Sequence, residues 1–271
     1  MTAPLLWVAP EALASARAGQ TLVVEGPDAH HAVAVRRLRV GEPVLVSDAV
    51  GGLARASVAE VVTGSRARLT VVVEAVERVA RPRPRLVLVQ ALAKQRRDER
   101  AVAAATGLGV DAIIPWQAER SVTRWDGPKA AKGVDRWRAL ARAEAQVARR
   151  ARVPEVLAPV GTDALAEALG GEVGAGRARG IVLHEDAAGA LAEALGGEVG
   201  AGRARGIGRL ADVAAIYLVT GPEGGIAPGE LDRLTGAGCR LARLGPEVLR
   251  AGVAGPAALA VVSHLLGRWS R

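Results

Sequence analysis

The sequence predicts an α/β fold in which a small β-rich domain precedes a larger domain built on a parallel sheet. Residues 20–76 contain short apolar stretches separated by Gly and Asp turns, a pattern typical of a small β-barrel. The stiff, charged segment RPRPR at 81–85 follows and is suited to a linker. The boundary is therefore placed near residue 80, with domains at 1–78 and 79–271.

Alternation of strands and helices identifies the second domain. Beyond the linker an apolar strand, a helix and a second strand follow in turn, which indicates a parallel sheet with crossover connections. These segments are 86–92, 96–107 and 112–116. Near the C-terminus, strands at 215–219 and 240–244 flank a helix that begins near Pro228. A loop at 244–256 and a nearly all-apolar helix complete the chain.

Two loops at the ends of the C-terminal strands carry the strongest functional signal. The first is GPEGG at 221–225 and the second is LGPEVLR at 244–250. Open α/β sheets hold ligands with glycine-bearing loops at the ends of buried strands, because bare backbone groups can approach a ligand closely there. The alternative is that the glycines only turn the chain.

Composition limits the classes of function. The net charge of +8 is carried almost entirely by arginine, which favours a polyanion such as RNA because guanidinium groups pair bidentately with phosphate. Biased codon usage, in a chain without Phe or Asn, is the alternative. No apolar run reaches the roughly 20 residues of a membrane span and no signal peptide is evident, so we expect a cytoplasmic protein without a membrane partner.

The single cysteine, Cys239, excludes an intramolecular disulfide and a cysteine-rich metal site, and no metal is expected. Its position before an apolar strand favours a small buried hydrophobe over a nucleophile.

The order of the motifs resembles the RsmE family, the 16S ribosomal RNA uracil N3-methyltransferases of the SPOUT class. In the C-terminal half, GPEGG after a strand, LGPEVLR and a PAALA-type helix carry the resemblance. Further matches are HHAVAVRRLRVGE at 30–42, LVLVQALAK at 86–94, GLGVDAIIPW at 107–116, RWDGPKAAKGVDRWR at 124–138, RARVPEV at 150–156 and VLHEDA at 182–187. Together they span nearly the whole chain.

The resemblance implies a fold and an activity. The first domain would be a PUA-like RNA-binding β-barrel and the second a knotted, SPOUT-like α/β methyltransferase domain. S-adenosylmethionine would be the cofactor, 16S rRNA or the 30S subunit the partner, and a homodimer the assembly. The implied reaction is N3-methylation of one uridine, 1498 in the usual rRNA numbering.

The resemblance also implies which residues form the cofactor site. Both loops and the strand end before 184 would supply backbone groups around the adenine, with apolar side chains as walls. The implied cofactor-binding residues are Leu183, His184, Gly221, Pro222, Gly224, Gly225, Ile226, Leu244, Gly245 and Leu249. Glu223 and Arg250 are the candidate catalytic residues. Two roles stay open: Glu223 orients the loop or substrate or only bonds nearby amides, and His184 is a base or a structural hydrogen-bonding residue.

RNA binding is assigned to clusters of histidine and arginine. Strand or helix geometry can present the basic residues of HHAVAVRRLRVG together, and RRAR at 149–152 forms a second cluster. The candidates are His30, His31, Arg36, Arg37, Arg39, Arg149, Arg150 and Arg152. A solvated charge run is the alternative, since spacing alone does not establish convergence on phosphates. Trp125 is the aromatic residue expected to be exposed and to stack on a base.

Several residues depart from the family pattern. Ala251, Gly252 and Val253 stand where the family carries polar side chains, and Glu247 replaces a basic residue. Residues 94–96, Lys-Gln-Arg, stand where lysine, glycine and aspartate are usual. Two functions therefore remain, an rRNA methyltransferase of reduced rate and a catalytically weak RNA- or cofactor-binding protein of the same fold. Dinucleotide oxidoreduction is disfavoured, because GPEGG is not a GxGxxG fingerprint.

One segment of 18 residues is duplicated. Residues 164–181, ALAEALGGEVGAGRARGI, recur identically at 190–207. Two exact copies are too similar for drifted structural repeats and too few for a solenoid, which indicates a recent duplication or an artificial sequence. Each copy predicts a short helix ended by Gly-Gly, and both are expected to serve as connecting helices without chemistry of their own.

Overall fold

A computed structural model describes residues 3–64, 66–196, 198–200, 203–205 and 212–270. The chain divides into two compact units, unit 1 with residues 1–81 and 142–153 and unit 2 with residues 82–141 and 154–271. The first division lies close to the linker identified in the sequence. The structure differs in assigning 142–153 to unit 1, whereas strand and helix patterns place this segment in the second domain.

Unit 1 is built on a five-stranded sheet. Its strands are β1 (Leu5–Trp7), β2 (Thr21–Val24), β3 (Pro43–Ser47), β4 (Gly52–Val62) and β5 (Arg68–Arg78), in the order β1-β3-β4-β5-β2. β1 pairs with β3 in parallel and the other pairs are antiparallel. Alternate residues of β5, Leu69, Val71 and Val73, are buried in the core, because successive side chains of a strand point to opposite faces of the sheet. Two short helices, α1 (Pro10–Ala14) and α2 (Gly26–His30), and a π-helical turn (His31–Val35) lie between strands.

Segment 142–153 joins unit 1 through side-chain hydrogen bonds. Gln146 Nε2 donates to Asp28 Oδ1 at 2.7 Å. The Arg152 guanidinium donates to the carbonyl oxygen of Val79 at 2.9 Å. These contacts join residues far apart in the sequence, so local periodicity cannot reveal them.

Unit 2 is built on a six-stranded parallel sheet in the order β13-β9-β12-β6-β7-β8. The strands of this sheet are β6 (Arg85–Ala91), β7 (Ala112–Trp116), β8 (Glu155–Val156), β9 (Ala178–Leu183), β12 (Ala215–Thr220) and β13 (Arg240–Ala242). Strands β10 (Glu198–Gly200) and β11 (Arg203–Arg205) form a separate two-stranded sheet. The central strands are continuous apolar runs because helices cover parallel sheets. The predicted parallel sheet is confirmed.

The helices of this part of the chain are α3 (Arg97–Gly107), α4 (Pro128–Val147), α5 (Thr162–Leu169), α6 (Leu191–Ala194), α7 (Pro228–Gly236) and α8 (Ala251–Leu265). α8 packs against α3 and lies over β6 and β12. No helix in the described ranges is both long and apolar enough to cross a membrane.

The C-terminal helix begins earlier than the sequence predicts. α8 starts at Ala251, with Arg250 at its N-cap, so the second half of the predicted loop 244–256 is helical. Glycine and proline in this stretch are weak helix formers, which favoured a loop. Packing overrides that preference, because a Cβ at Gly255 would lie 2.6 Å from a methyl carbon of Leu88. The glycine allows the helix to approach the sheet closely.

The two copies of the duplicated segment adopt different structures. In the first copy, α5 leads through a π-helical turn (Gly170–Gly174) into β9 of the large sheet. In the second copy the helix is limited to α6, and β10 and β11 follow as an antiparallel pair. The first copy thus confirms the predicted connecting helix, whereas the second forms a shorter helix and a hairpin. The end of the second copy lies outside the described residues.

The predicted burial of Cys239 is confirmed and the predicted exposure of Trp125 is not. Cys239 is buried, and burial raises the pKa of its thiol to about 11, which confirms a small buried hydrophobe rather than a nucleophile. Trp125 was predicted to be exposed, and this is wrong. Its ring is 7% exposed and packs edge-to-face on Trp137, with centroids 5.1 Å apart, because Gly133 leaves room for it.

Candidate active site

The carboxyl ends of four parallel strands lie level with one another in unit 2. Thr220 of β12 pairs with Leu183 of β9 and with Gln90 of β6, and Ala242 of β13 also pairs with Leu183. Because the strands are parallel, the loops that follow them emerge at the same edge of the sheet. The structure thus brings the GPEGG loop, the LGPEVLR loop and the segment after β9 together, as the sequence predicts.

The three glycines of the GPEGG loop are required for different structural reasons. A Cβ at Gly221 would lie 2.6 Å from a side-chain carbon of Ile226, and one at Gly224 would lie 3.2 Å from Cβ of Arg120. Gly225 has a φ of +71°, in the left-handed region that favours glycine. The glycines therefore let neighbouring segments pack directly on the loop backbone, in addition to turning the chain.

Two cavities that share residues lie over this edge of the sheet. The smaller, of about 70 Å³, is lined by Leu183, Leu244, Gly245 and others, and the larger, of about 770 Å³, is lined by most of the GPEGG loop and by Arg250. His184, Glu185, Val248 and Leu249 line both. All the implied cofactor-binding residues except Gly221 line one cavity or the other, as do Glu223 and Arg250.

The carboxylate of Glu223 is held by an arginine rather than by neighbouring amides. Arg97, the first residue of α3, places its NH1 nitrogen 3.0 Å from Glu223 Oε1, and its NH2 nitrogen donates to Gln95 Oε1 at 3.0 Å. The Arg97 and Glu223 side chains are 28% and 17% exposed, so solvent screens the pair only in part. This ion pair ties the start of α3 to the GPEGG loop and fits the interpretation that Glu223 orients the loop.

The imidazole of His184 makes a local hydrogen bond. Its Nδ1 nitrogen accepts the backbone N–H of Asp186 at 3.2 Å. A ring nitrogen that accepts this bond is not available to take a proton from a substrate. This contact fits a structural hydrogen-bonding residue better than a general base.

Family models match both parts of the chain. A model described as an RNA methyltransferase domain matches residues 81–263, and one described as an RNA methyltransferase PUA domain matches residues 24–72. A ribosomal RNA small subunit methyltransferase E of Mycobacterium bovis is 42% identical over 259 residues, covering 93% of this chain and 89% of the relative. The chain belongs to the RsmE family.

A more distant relative and two solved structures are similar to the chain as well. The protein of that name from Bacillus subtilis is 28% identical over 245 residues, covering 90% of each chain. The crystal structure of the Neisseria gonorrhoeae protein bound to S-adenosyl methionine has a TM-score of 0.76 at 23% identity, covering 97% of this chain and 98% of that one. A Legionella pneumophila putative methyltransferase in complex with S-adenosyl methionine has a TM-score of 0.77 at 23% identity, covering 98% of each. The predicted fold class, a PUA-like domain followed by a SPOUT-like α/β domain, is confirmed.

Two arginines that line the larger cavity of this RsmE-family chain were not predicted from the sequence. Arg97 follows β6, and Arg120 follows β7. Arg120 is exposed, and its NH1 nitrogen donates to the carbonyl oxygen of Gly224 at 3.2 Å. The order of strands in the sheet would have identified both, because β6 and β7 lie next to β12 and their loops emerge at the same edge. Among the described residues, no group of His, Cys, Asp and Glu side chains is arranged to hold a metal ion.

The predicted RNA-binding residues all lie in unit 1. His30, His31, Arg36, Arg37, Arg39 and Arg149 are exposed, and Arg150 is half-buried. Arg152 is half-buried as well, and its guanidinium bonds the backbone of Val79, so its position indicates a structural role. The same unit has a groove of about 760 Å³ whose lining includes His30, Arg66 and Arg68. Neither arginine was predicted to bind RNA, because the two alternate with other residues instead of forming a run.

The start of α8 limits which side chains fit at the positions where this RsmE-family chain departs from the family pattern. A Cβ at Gly252 would lie 2.7 Å from the backbone oxygen of Arg97, so α8 contacts the start of α3 directly. Ala251 is 8% exposed and lines the larger cavity, whereas Val253 is 48% exposed and lines neither. Of the three substituted positions, Ala251 is therefore the one whose side chain faces the site.

We expect any side chain at position 252 to destabilise the protein. Gly252→Ala should lower the free energy of unfolding by about 1–3 kcal/mol, because the Arg97 carbonyl is backbone and cannot move aside cheaply. Chemical denaturation monitored by circular dichroism measures this. Gly229→Ala is the matched control, since Gly229 is the second residue of α7 and the atom nearest to its Cβ is a flexible arginine end at 3.9 Å. Equal effects of the two changes would contradict the packing argument.

Proposed function

We propose that this chain methylates N3 of one uridine of 16S rRNA, uridine 1498, in the 30S subunit and in the cytoplasm, with S-adenosylmethionine as the methyl donor. The proposal rests on membership of the RsmE family and on the two adjoining cavities at the carboxyl edge of the parallel sheet. The smaller cavity, of about 70 Å³, has room for only part of the cofactor, and the larger, of about 770 Å³, has room for the rest of it and for a nucleotide.

The residues of the smaller cavity fit the adenine of the cofactor. Leu183, Leu244 and Leu249 line it with apolar side chains, and Gly245 exposes backbone groups beside them. This combination suits a flat adenine ring, which needs apolar faces and backbone hydrogen-bonding partners. When bound, S-adenosylmethionine supplies an electrophilic methyl group on a sulfonium.

The protein's own groups supply positioning and charge. Loss of the N3 proton to solvent leaves negative charge on the uracil ring, and transfer of the methyl group from the sulfonium then neutralises that charge. Arg250 is exposed and lines the larger cavity, so we assign it the stabilisation of that charge. Glu223, paired with Arg97, holds the GPEGG loop against the site, which keeps base and donor in attacking geometry.

The alternative is a catalytically weak protein of the same fold that binds RNA or the cofactor. Ala251 favours it, because this residue faces the larger cavity and cannot donate a hydrogen bond. A lost hydrogen bond to a buried partner costs about 1–3 kcal/mol, and every 1.36 kcal/mol in a transition state is about tenfold in rate.

We therefore expect measurable cofactor binding with methyl transfer slowed by about two orders of magnitude relative to a typical relative. Tritium transfer from labelled S-adenosylmethionine to 30S particles that lack the modification measures the rate. Ala251→Thr should raise the rate more than the cofactor affinity, because a hydroxyl at this position faces the cavity. Val253→Thr is the control and should leave the rate unchanged, since Val253 lines neither cavity. No transfer by either the original chain or the Ala251→Thr variant would favour the binding protein.

We propose that unit 1 binds rRNA through its exposed basic residues, because the PUA-domain match covers residues 24–72. Replacing Arg36, Arg37 and Arg39 by Ala should flatten the dependence of log affinity on log salt by about 0.7–0.9 for each phosphate that is no longer neutralised. Titration of labelled 30S particles over a series of KCl concentrations gives this slope. The double change Arg66→Ala and Arg68→Ala tests the groove in the same way. A slope that neither variant changes would exclude unit 1 as the RNA surface.

We also propose a homodimer. Val253, Ala257, Val261 and Leu265 recur every four residues on α8, and Val253 and Val261 are 48% and 41% exposed. An exposed apolar stripe at this spacing fits pairing with a second helix. Light scattering should give about twice the chain mass of 27.8 kDa. Val253→Glu with Val261→Glu should shift the mass to one chain, and a monomeric parent chain at micromolar concentration would disprove the proposal.

A further inference from the structure

The larger cavity is lined by both acidic and basic residues. Glu185 and Asp186 follow β9, and Glu185 also lines the smaller cavity. Arg97, Arg120 and Arg250 belong to other segments and line only the larger cavity. The Arg97 charge is matched by Glu223 at 3.0 Å, so Arg120 and Arg250 are the two guanidinium groups that this ion pair leaves for a ligand.

The proposed cofactor does not account for these two arginines. S-adenosylmethionine carries a sulfonium and an amino group against one carboxylate, so its net charge is positive. Guanidinium groups beside a sulfonium are electrostatically unfavourable, whereas the carboxylates of Glu185 and Asp186 complement it. An anion that enters the larger cavity separately is the better partner for Arg120 and Arg250.

We infer that Arg120 forms a site for a backbone phosphate next to the target nucleotide. The inference rests on the proposed function, since it takes RNA as the substrate. A guanidinium has five donors, and the bond from Arg120 NH1 to the Gly224 carbonyl uses only one of them. The other donors form the planar fork that pairs with phosphate oxygens.

Arg120 is also held firmly enough to act as a fixed contact. The backbone N–H of Glu119, its neighbour, donates to Oε1 of the fully buried Glu230 at 2.9 Å. The Arg124 guanidinium donates to the Glu119 carbonyl at 2.8 Å. The connection after β7 is thus anchored on both sides of its backbone, and the Arg120 side chain projects from an ordered segment. A phosphate contact at this position would orient the nucleotide chain relative to the GPEGG loop.

The experiment compares Arg120→Ala, Arg120→Lys and the control Arg233→Ala. Arg233 is exposed on α7, pairs with Asp163 and lines neither cavity. Binding of 30S particles that lack the modification is measured over a series of KCl concentrations, and cofactor affinity is measured by calorimetry. Arg120→Ala should flatten the log affinity against log salt slope by about 0.7–0.9, the value for one phosphate. Arg120→Lys should keep the slope, and Arg233→Ala should not change it.

The slope of log affinity against log salt distinguishes a phosphate contact of Arg120 from a role in supporting the GPEGG loop. An unchanged slope in Arg120→Ala overturns the inference, whatever happens to cofactor affinity, because Arg120 then acts only through the Gly224 carbonyl. An equal change of slope in Arg233→Ala overturns the inference too, since the loss of any positive charge would then produce the same effect. If Arg120→Ala does not fold, Arg120→Gln removes the same charge and carries the same test. Because the readout is binding, it remains valid if the parent chain fails to transfer a methyl group, which is the separate test of the proposed function.

Discussion

The buried carboxylate of Glu230 is the contact on which the arrangement of the site depends. It is fully buried and accepts hydrogen bonds from the backbone N–H of Ala227, the backbone N–H of Glu119 and the hydroxyl of Thr162. A buried carboxylate is tolerated only when such bonds satisfy it. One side chain therefore joins the end of the GPEGG loop, the connection that carries Arg120 and the start of α5. The position of the cavity walls follows from this network rather than from surface contacts.

Sequence patterns predicted the sheet and the two loops because both depend on local signals. An apolar run marks a buried strand, and glycines mark the places where backbone must pack closely. Arg97 and Arg120 were not predicted, because they reach the GPEGG loop across sequence separations of 126 and 104 residues. The predicted exposure of Trp125 was wrong for a more local reason, since its ring packs in the space that Gly133 leaves on the following helix. Convergence between distant segments is what local patterns do not contain.

The duplicated segment shows the same limit more directly. The residues common to both copies form the last six residues of an eight-residue helix and the start of a strand of the large sheet in one copy, and a four-residue helix and an antiparallel pair of strands in the other. Helix propensity is the same in both, so the neighbours decide. In the first copy β9 has partners on both edges, β12 and β13, which fixes the strand and limits the conformations open to the residues before it. Tertiary pairing outweighs intrinsic preference here.

The two cavities share four residues but differ in the rest of their linings, so the proposed cofactor binding and the proposed catalysis depend in part on different residues. Beside His184 and Glu185, the smaller cavity is lined by apolar side chains and by Gly245, which tolerate substitution as long as the backbone stays in place. The backbone is held by buried groups such as Gln90, which accepts the Thr220 hydroxyl at 3.0 Å and donates to the Ala251 carbonyl at 3.4 Å. The larger cavity instead exposes the side chains of Arg120, Arg250 and Ala251, so each substitution there changes the chemistry directly. Loss of polar groups at the start of α8 can therefore reduce the rate of methyl transfer while the cofactor site keeps its shape.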